Sequence, residues 1–203
     1  YGSLVAMVQT DIKRLVAYSS VAHLAFVILG LFAGNAAGVN GAVLQMLNHG
    51  FSTGALFLLV GMIYERRHTR LISDYGGIAK VVPLYTFFFL YVTLSSIGMP
   101  GLNNFVGEFL VLLGAFQAKP IWGILAVLGV ILSAVYMLWM VERVFFGTVQ
   151  HEENKSLRDL GLREVLVLAP LCLAMLWIGL YPKPLIKMIE PSTQTFVKLI
   201  QRN

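Results

Sequence analysis

The stretch GMPGLNNFVGEF, Gly98 to Phe109, lies inside an apolar run yet carries a proline, three glycines, two asparagines and an acid. The run around it, Leu84 to Ala118, is 35 residues, about 52 Å as a straight helix at 1.5 Å per residue. A hydrocarbon core is roughly 30 Å thick, so one upright helix is far too long for it. Tilt absorbs part of the excess. Pro100 removes a backbone donor, however, and Gly98 and Gly101 add flexibility, so the run predicts a helix over 84–118 broken near 98–104. A break at membrane depth leaves carbonyls and amides that only protein or water can satisfy. Asn103 and Asn104 supply polar groups at that place. The pattern is that of a discontinuous helix, a device that exposes helix ends at an ion site.

The rest of the chain extends this membrane reading. Its 203 residues are 58% hydrophobic and 12% charged, with a mean hydropathy of +0.77, which excludes an ordinary water-soluble domain. Further long apolar runs predict spans at about 12–33, 39–64, 120–143 and 164–182. Residues 1–10 read as the end of another helix and 183–203 as a C-terminal tail. The fold class is therefore all-α: a polytopic transmembrane helix bundle in a single domain, with one discontinuous helix. Thr10 or Asp11 is placed to cap the first full span, and Gly34 and Asn35 to end it. The chain opens on Tyr1 without a cationic segment or a small-residue cleavage site, and reads as the downstream part of a longer protein. Cys172 stands alone and reads as an inert buried thiol.

Formal charge is +5, and its distribution sets the topology. Alternate connections place Lys13, Arg14, Arg66, Arg67, Arg70, Lys80, Arg143, Lys155, Arg158 and Arg163 on one face. The opposite face receives Lys119 before a basic tail. Basic loops stay on the side of synthesis, so the first face is cytoplasmic in a bacterium or matrix-facing in a mitochondrion. Loop charge of this kind reports topology, and nucleic acid is not an expected partner.

Three ionisable side chains fall near the midplane. His23 lies about 18 Å and His49 about 15 Å into their helices, and Glu108 follows a half-helix and the break. Such residues are costly in lipid and mark functional sites. Gln45, Asn48, Ser52 and Thr53 form a polar stripe with His49, while Tyr18, Ser19 and Ser20 precede His23 by about a turn. Two readings stay open for these stripes: a water-ordering proton route, or hydrogen-bonded glue between helices. Glu108 is expected to exchange protons near neutral pH because burial disfavours its charge, and Gly107 beside it admits backbone or water. Its alternative is a permanently protonated structural acid. Glu142 with Arg143 reads as an interfacial pair, and His68 and His151 as loop residues. No metal-ligand spacing, nucleotide loop or nucleophile constellation is present in the sequence.

Together QTDIKRLVAYSSVAHLAF, GAVLQMLNHGFSTGALFLLVGMIYERRHTR and GMPGLNNFVGEF resemble the antiporter-like subunits of respiratory complex I, in the pattern of the chain M branch and its mitochondrial counterpart. The resemblance covers nearly the whole chain. It implies a C-terminal portion of a longer subunit, comprising most of the second of two inverted repeats, each with a broken helix. It implies proton translocation coupled to electron transfer from NADH to quinone in other subunits. Glu108 matches the carboxylate of the second broken helix, and His49 and His23 match histidines of the family's central hydrated line. The resemblance further implies that the chain binds no cofactor or metal, with NADH, flavin, iron-sulfur clusters and quinone held by partner subunits. Expected partners are other membrane-arm subunits, including sister antiporter-like subunits, and membrane lipids. The expected location is the bacterial plasma membrane or the mitochondrial inner membrane. Competing readings are a subunit of a cation/proton antiporter or of an ion-pumping membrane hydrogenase, and a purely structural membrane scaffold.

Overall fold

The computed structural model describes residues 1–200. A short helix α1 (Gly2–Met7) leads into α2 (Ile12–Phe32), α3 (Ala36–Arg67), α4 (Pro83–Ser96), α5 (Asn103–Ala118), α6 (Pro120–Phe145), the one-turn α7 (Glu152–Lys155), α8 (Leu162–Leu180) and α9 (Lys183–Ile200). Of these, α2, α3, α6 and α8 are each long and apolar enough to cross a membrane. The run expected at 84–118 is two half-helices, α4 of 14 residues and α5 of 16, neither of which spans a bilayer alone.

The break occupies Ile97 to Leu102. Gly98 and Gly101 take positive φ, 74° and 93°, a conformation that costs glycine little and other residues much. Pro100 lies between them, where its missing N–H interrupts no helix. The α4 chain ends with Ile97 N–H on Thr93 O and Gly98 N–H on Ser95 O.

Asp11 and Gly34 act at the ends of α2 as expected, and other helix ends differ. Asp11 caps α2, accepting from the Arg14 N–H at 3.0 Å. Gly34 turns the chain at φ +64°. Asn35 does not end α2: its side chain accepts from the Gly38 N–H at 2.9 Å and so opens α3. That moves the start of α3 three residues ahead of the expected 39, and its end runs to Arg67 instead of 64. The tail expected over 183–203 contains the helix α9, whose buried residues Thr193 and Val197 lie on one face with the half-buried Ile186, Ile189 and Glu190. Thr193 Oγ1 meets Asn40 Oδ1 at 2.5 Å, tying this helix to the start of α3.

The connections fall on two faces, as the charge pattern requires. On the basic face, Ile12 N–H bonds Arg70 O and Ile72 N–H bonds Thr10 O. Arg66 joins Glu164 at 2.6 Å and the Arg158 carbonyl at 2.8 Å, and Arg67 reaches Asn154 Oδ1 at 2.9 Å. No ion pair joins Glu142 to Arg143 among the described residues. Arg143 instead stacks on Trp139, 3.8 Å from the ring centroid, where a guanidinium gains cation–π attraction while its stem covers apolar surface. His68 ends α3 at φ 56°, and His151 Nε2 lies 3.0 Å from Ser73 O.

Below that face a dense apolar core joins α2, α3, α4, α6 and α8. Tyr85, Phe89 and Phe145 form an aromatic cluster in it, with Phe89 and Phe145 centroids 4.8 Å apart. Helix α4 has no cap of its own; Asp159, from the loop before α8, accepts from the Leu84 and Tyr85 N–H groups at 2.8 and 2.9 Å. This carboxylate also suits the positive end of the α4 dipole. Asp159→Ala is expected to cost about 1–2 kcal/mol, seen as a lower midpoint in heat denaturation of the purified protein.

The opposite half of the bundle has a different packing rule. A Cβ at Gly30 would lie 2.5 Å from Gly38 O, and one at Gly41 would lie 2.6 Å from Val111 N. A Cβ at Gly114 would strike the Gly38 backbone, and one at Gly107 the Gln45 side chain. Helices α2, α3 and α5 therefore touch backbone to backbone along glycine positions, the close approach that small residues permit in membrane helices. This contact brings the α5 carboxylate against the polar faces of α2 and α3.

Candidate proton-transfer site

Glu108 projects from the second turn of α5 and is only 4% exposed. Its Oε1 lies 3.0 Å from His23 Nδ1 of α2 and 3.3 Å from Gln45 Nε2 of α3. Its Oε2 faces the helix break, so that a Cβ at Gly98 would sit 2.5 Å from it. The interruption thus serves a steric purpose: a regular helix with an ordinary side chain at position 98 would occupy the space of the carboxylate.

His23 is 3% exposed. With Nδ1 facing Glu108, its Nε2 is buried and has no bonding partner in the protein. The His49 ring lies 5.9 Å from the His23 ring, centroid to centroid, at a tilt of 36°. His49 is half-buried, and the Thr53 hydroxyl stands 3.2 Å from each of its ring nitrogens. All three residues singled out in the sequence therefore converge, in the order His49, His23, Glu108, and only the last two touch. Tyr18 does not join them, being 38% exposed. Ser19 and Ser20 turn their hydroxyls to the Val16 carbonyl, the usual i−3 or i−4 bond of a helical serine.

The asparagines of the break are committed to holding it. Asn103 and Asn48 exchange bonds, Asn48 Nδ2 to Asn103 O at 2.7 Å and Asn103 Nδ2 to Asn48 O at 3.1 Å. Ser95 donates to Asn103 Oδ1 at 2.5 Å. Asn104 Nδ2 reaches Ser52 Oγ at 2.9 Å and Ser95 O at 3.0 Å. The end of α4, the start of α5 and the middle of α3 are thus one buried polar lattice. Such a lattice satisfies the backbone groups a break exposes at membrane depth. Within this region Gln45 Oε1, Asn48 Oδ1, Asn104 Oδ1, Thr93 Oγ1 and Ser96 Oγ are buried polar atoms without a partner in the protein.

Sequence reading placed Gln45 and Asn48 on the stripe but did not assign either a contact. The signal for Gln45 was its spacing, four residues before His49 on the same face. Among the described residues no group of three or more His, Cys, Asp or Glu side chains is disposed to hold a metal ion.

Membrane-length helices, one of them interrupted beside a buried acid–histidine pair, define a polytopic helical membrane protein of the discontinuous-helix type. The family described as NADH:quinone oxidoreductase/Mrp antiporter, transmembrane, matches residues 1–133. The chain belongs to that family. It is 48% identical to NADH-quinone oxidoreductase subunit M of Rhodobacter capsulatus over 198 residues, 98% of this chain and 39% of the relative. It is 41% identical to NADH-ubiquinone oxidoreductase chain 4 of Marchantia polymorpha, over 98% of this chain and 40% of the relative. The chain thus spans about two fifths of the length of these relatives. A chain of respiratory complex I from Thermus thermophilus with bound NADH superposes with a TM-score of 0.91 at 36% identity, covering 98% of this chain and 42% of that one. The Mrp complex from Dietzia shares the fold, with a TM-score of 0.87 at 20% identity over 97% of this chain and 45% of that one.

Proposed function

We propose that this chain carries the terminal station of a proton path in a non-redox membrane-arm subunit of a NADH-quinone oxidoreductase, in a bacterial plasma membrane or a mitochondrial inner membrane. The observation that carries the reading is the buried His23 Nδ1 to Glu108 Oε1 contact of 3.0 Å beside the helix break. Ionisable groups this deep in a membrane protein are otherwise too costly to keep.

The chemistry follows from the two faces of one imidazole. A proton arriving at His23 Nε2 from the side of His49 makes an imidazolium; loss of the Nδ1 proton to Glu108 Oε1 leaves neutral His23 and a neutral acid. The imidazole has then passed one proton between two spatially separate nitrogens and is left as the Nε2–H tautomer, and a turn of the ring restores the starting tautomer for the next proton. Glu108 afterwards turns its carboxyl about the Cγ–Cδ bond, which carries the loaded oxygen toward the break where α4 ends and α5 begins, and releases the proton there. His49 is half-buried, which suits a group receiving protons from elsewhere in the assembly.

On this proposal the chain itself binds no flavin, iron-sulfur cluster, nicotinamide or quinone, and the redox steps belong to partner subunits. Its partners are the other membrane-arm subunits, sister antiporter-like subunits among them. The matching family takes in both kinds of protein, and identities of 48% and 41% to subunit M and chain 4 relatives, against 20% to the Mrp complex, favour this assignment over the antiporter reading.

His23→Gln tests the order of transfer. The amide preserves a hydrogen bond to Glu108 but cannot shuttle a proton at these pH values. NADH-driven pumping in the assembled enzyme, read with a potential-sensitive dye, is expected to fall roughly tenfold or more, within the range of a lost proton-transfer group. Pumping at the parental rate in a fully assembled variant would remove His23 from the path.

A further inference from the structure

We infer that Gln45 is a positioning residue for Glu108: its amide fixes the carboxylate against His23, so that transfer between the two depends on its hydrogen bond. The inference rests on the relay proposed above and adds to it a residue that sets the geometry of its last step.

Gln45 is fully buried on α3 and donates from Nε2 to Glu108 Oε1 at 3.3 Å. That oxygen is the one His23 also faces. Two donors on one oxygen define which oxygen loads, and leave Oε2 toward the break. The glutamine is itself held from the far side, because a Cβ at Gly107 would clash with its Oε1 and lie 3.1 Å from its backbone N and Cα. No ordinary residue at 107 permits that approach, so glycine and glutamine make one steric unit. A neutral amide suits the task. It donates a hydrogen bond to the carboxyl oxygen in either protonation state, and so orients the group without competing for the transferred proton.

The ionisable groups around Glu108 are few. His23 faces it from α2, with His49 of α3 behind, and Tyr136 of α6 is close enough to sense its charge. His49 lies one turn beyond Gln45 on α3 but makes no bond to the carboxylate, so among the described residues the amide is the α3 side chain bonded to Glu108.

Gln45→Met keeps the length and bulk of the side chain and removes the donor. The experiment is infrared difference spectroscopy of the assembled membrane enzyme across a pH series, with the Glu108 carboxyl band assigned by its loss in Glu108→Gln. Loss of the donor frees the carbonyl oxygen, so the carboxyl stretching band of Glu108 is expected to move to higher frequency, a signature that packing alone would not shift. Proton pumping per NADH oxidised should fall severalfold as the carboxyl loses its fixed approach to His23, while NADH oxidation by an artificial acceptor stays at the parental rate. An unchanged band frequency with unchanged pumping would show Gln45 to be packing only and would overturn the inference while leaving the relay standing. A Glu108 band that fails to titrate even in the parent enzyme would overturn the relay, and this inference with it.

Discussion

Glu108→Gln in the assembled enzyme is expected to abolish most NADH-driven proton pumping, a loss of roughly a hundredfold or more at this step, with subunit assembly preserved. The substitution is nearly isosteric, and the amide carbonyl can still accept from Gln45 Nε2 and His23 Nδ1, the two groups that now approach Oε1. The pocket formed by Gly98 and Gly107 accepts the new side chain as it accepts the old. What is lost is the capacity to hold and release a proton. A buried neutral amide also removes the negative charge that draws a proton onto His23, so the upstream step weakens as well. The measurement is quenching of a pH-gradient dye during NADH oxidation, normalised to oxidation by an artificial acceptor. Parental pumping in assembled Glu108→Gln would assign the acid a structural role and return the site to the reading of interhelical glue.

The site shows what a sequence carries and what it withholds. Position along a helix is legible: counting residues placed His23, His49 and Glu108 at one depth, and Pro100 between two glycines located the break. These are consequences of rise per residue and of backbone chemistry, which are local. Azimuth and partner are not local. His23 and Glu108 are 85 residues apart and Gln45 and Glu108 are 63 apart, and which faces meet depends on how closely three helix backbones approach. The glycines that set this approach were visible as glycines, but nothing in their spacing said which helix each would meet. Asn35 is a related case. Its type suits either the end of one helix or the start of the next, and only its bond to the Gly38 N–H decides for the start.

The missed helix α9 has a different cause. Pro184 and Pro191 argue against a helix when read singly. Pro184 in fact falls in the first turn of α9, where no amide bond is lost. Pro191 sits in the interior, where packing of Thr193 and Val197 against the bundle offsets its cost. Tertiary contact overrode propensity there, and the better guide was the spacing 186, 190, 193, 197 along one face.

Gly114→Leu is expected to be the most damaging change outside the acid itself, because it attacks the contact on which the site depends. A Cβ at 114 would overlap the backbone N and Cα of Gly38, and the Asn35 side chain, which donates to Gly114 O at 2.7 Å, blocks movement to one side. Backbone cannot yield as a flexible side chain does, so the cost should exceed the roughly 1–3 kcal/mol of ordinary overpacking. The cheapest relief is for α5 to tilt away from α3. Two turns further along, that tilt draws Glu108 from Gln45 and breaks the reciprocal Asn48–Asn103 pair. The expected result is therefore paired: less assembled enzyme in the membrane, and little pumping from what does assemble. Gly114→Ala, whose single methyl group meets the same backbone, should show the same two defects to a smaller degree. Blue-native gels and dye-quench pumping on the two variants measure both. Full assembly with parental pumping in Gly114→Leu would mean that the α3–α5 contact does not set the geometry of Glu108.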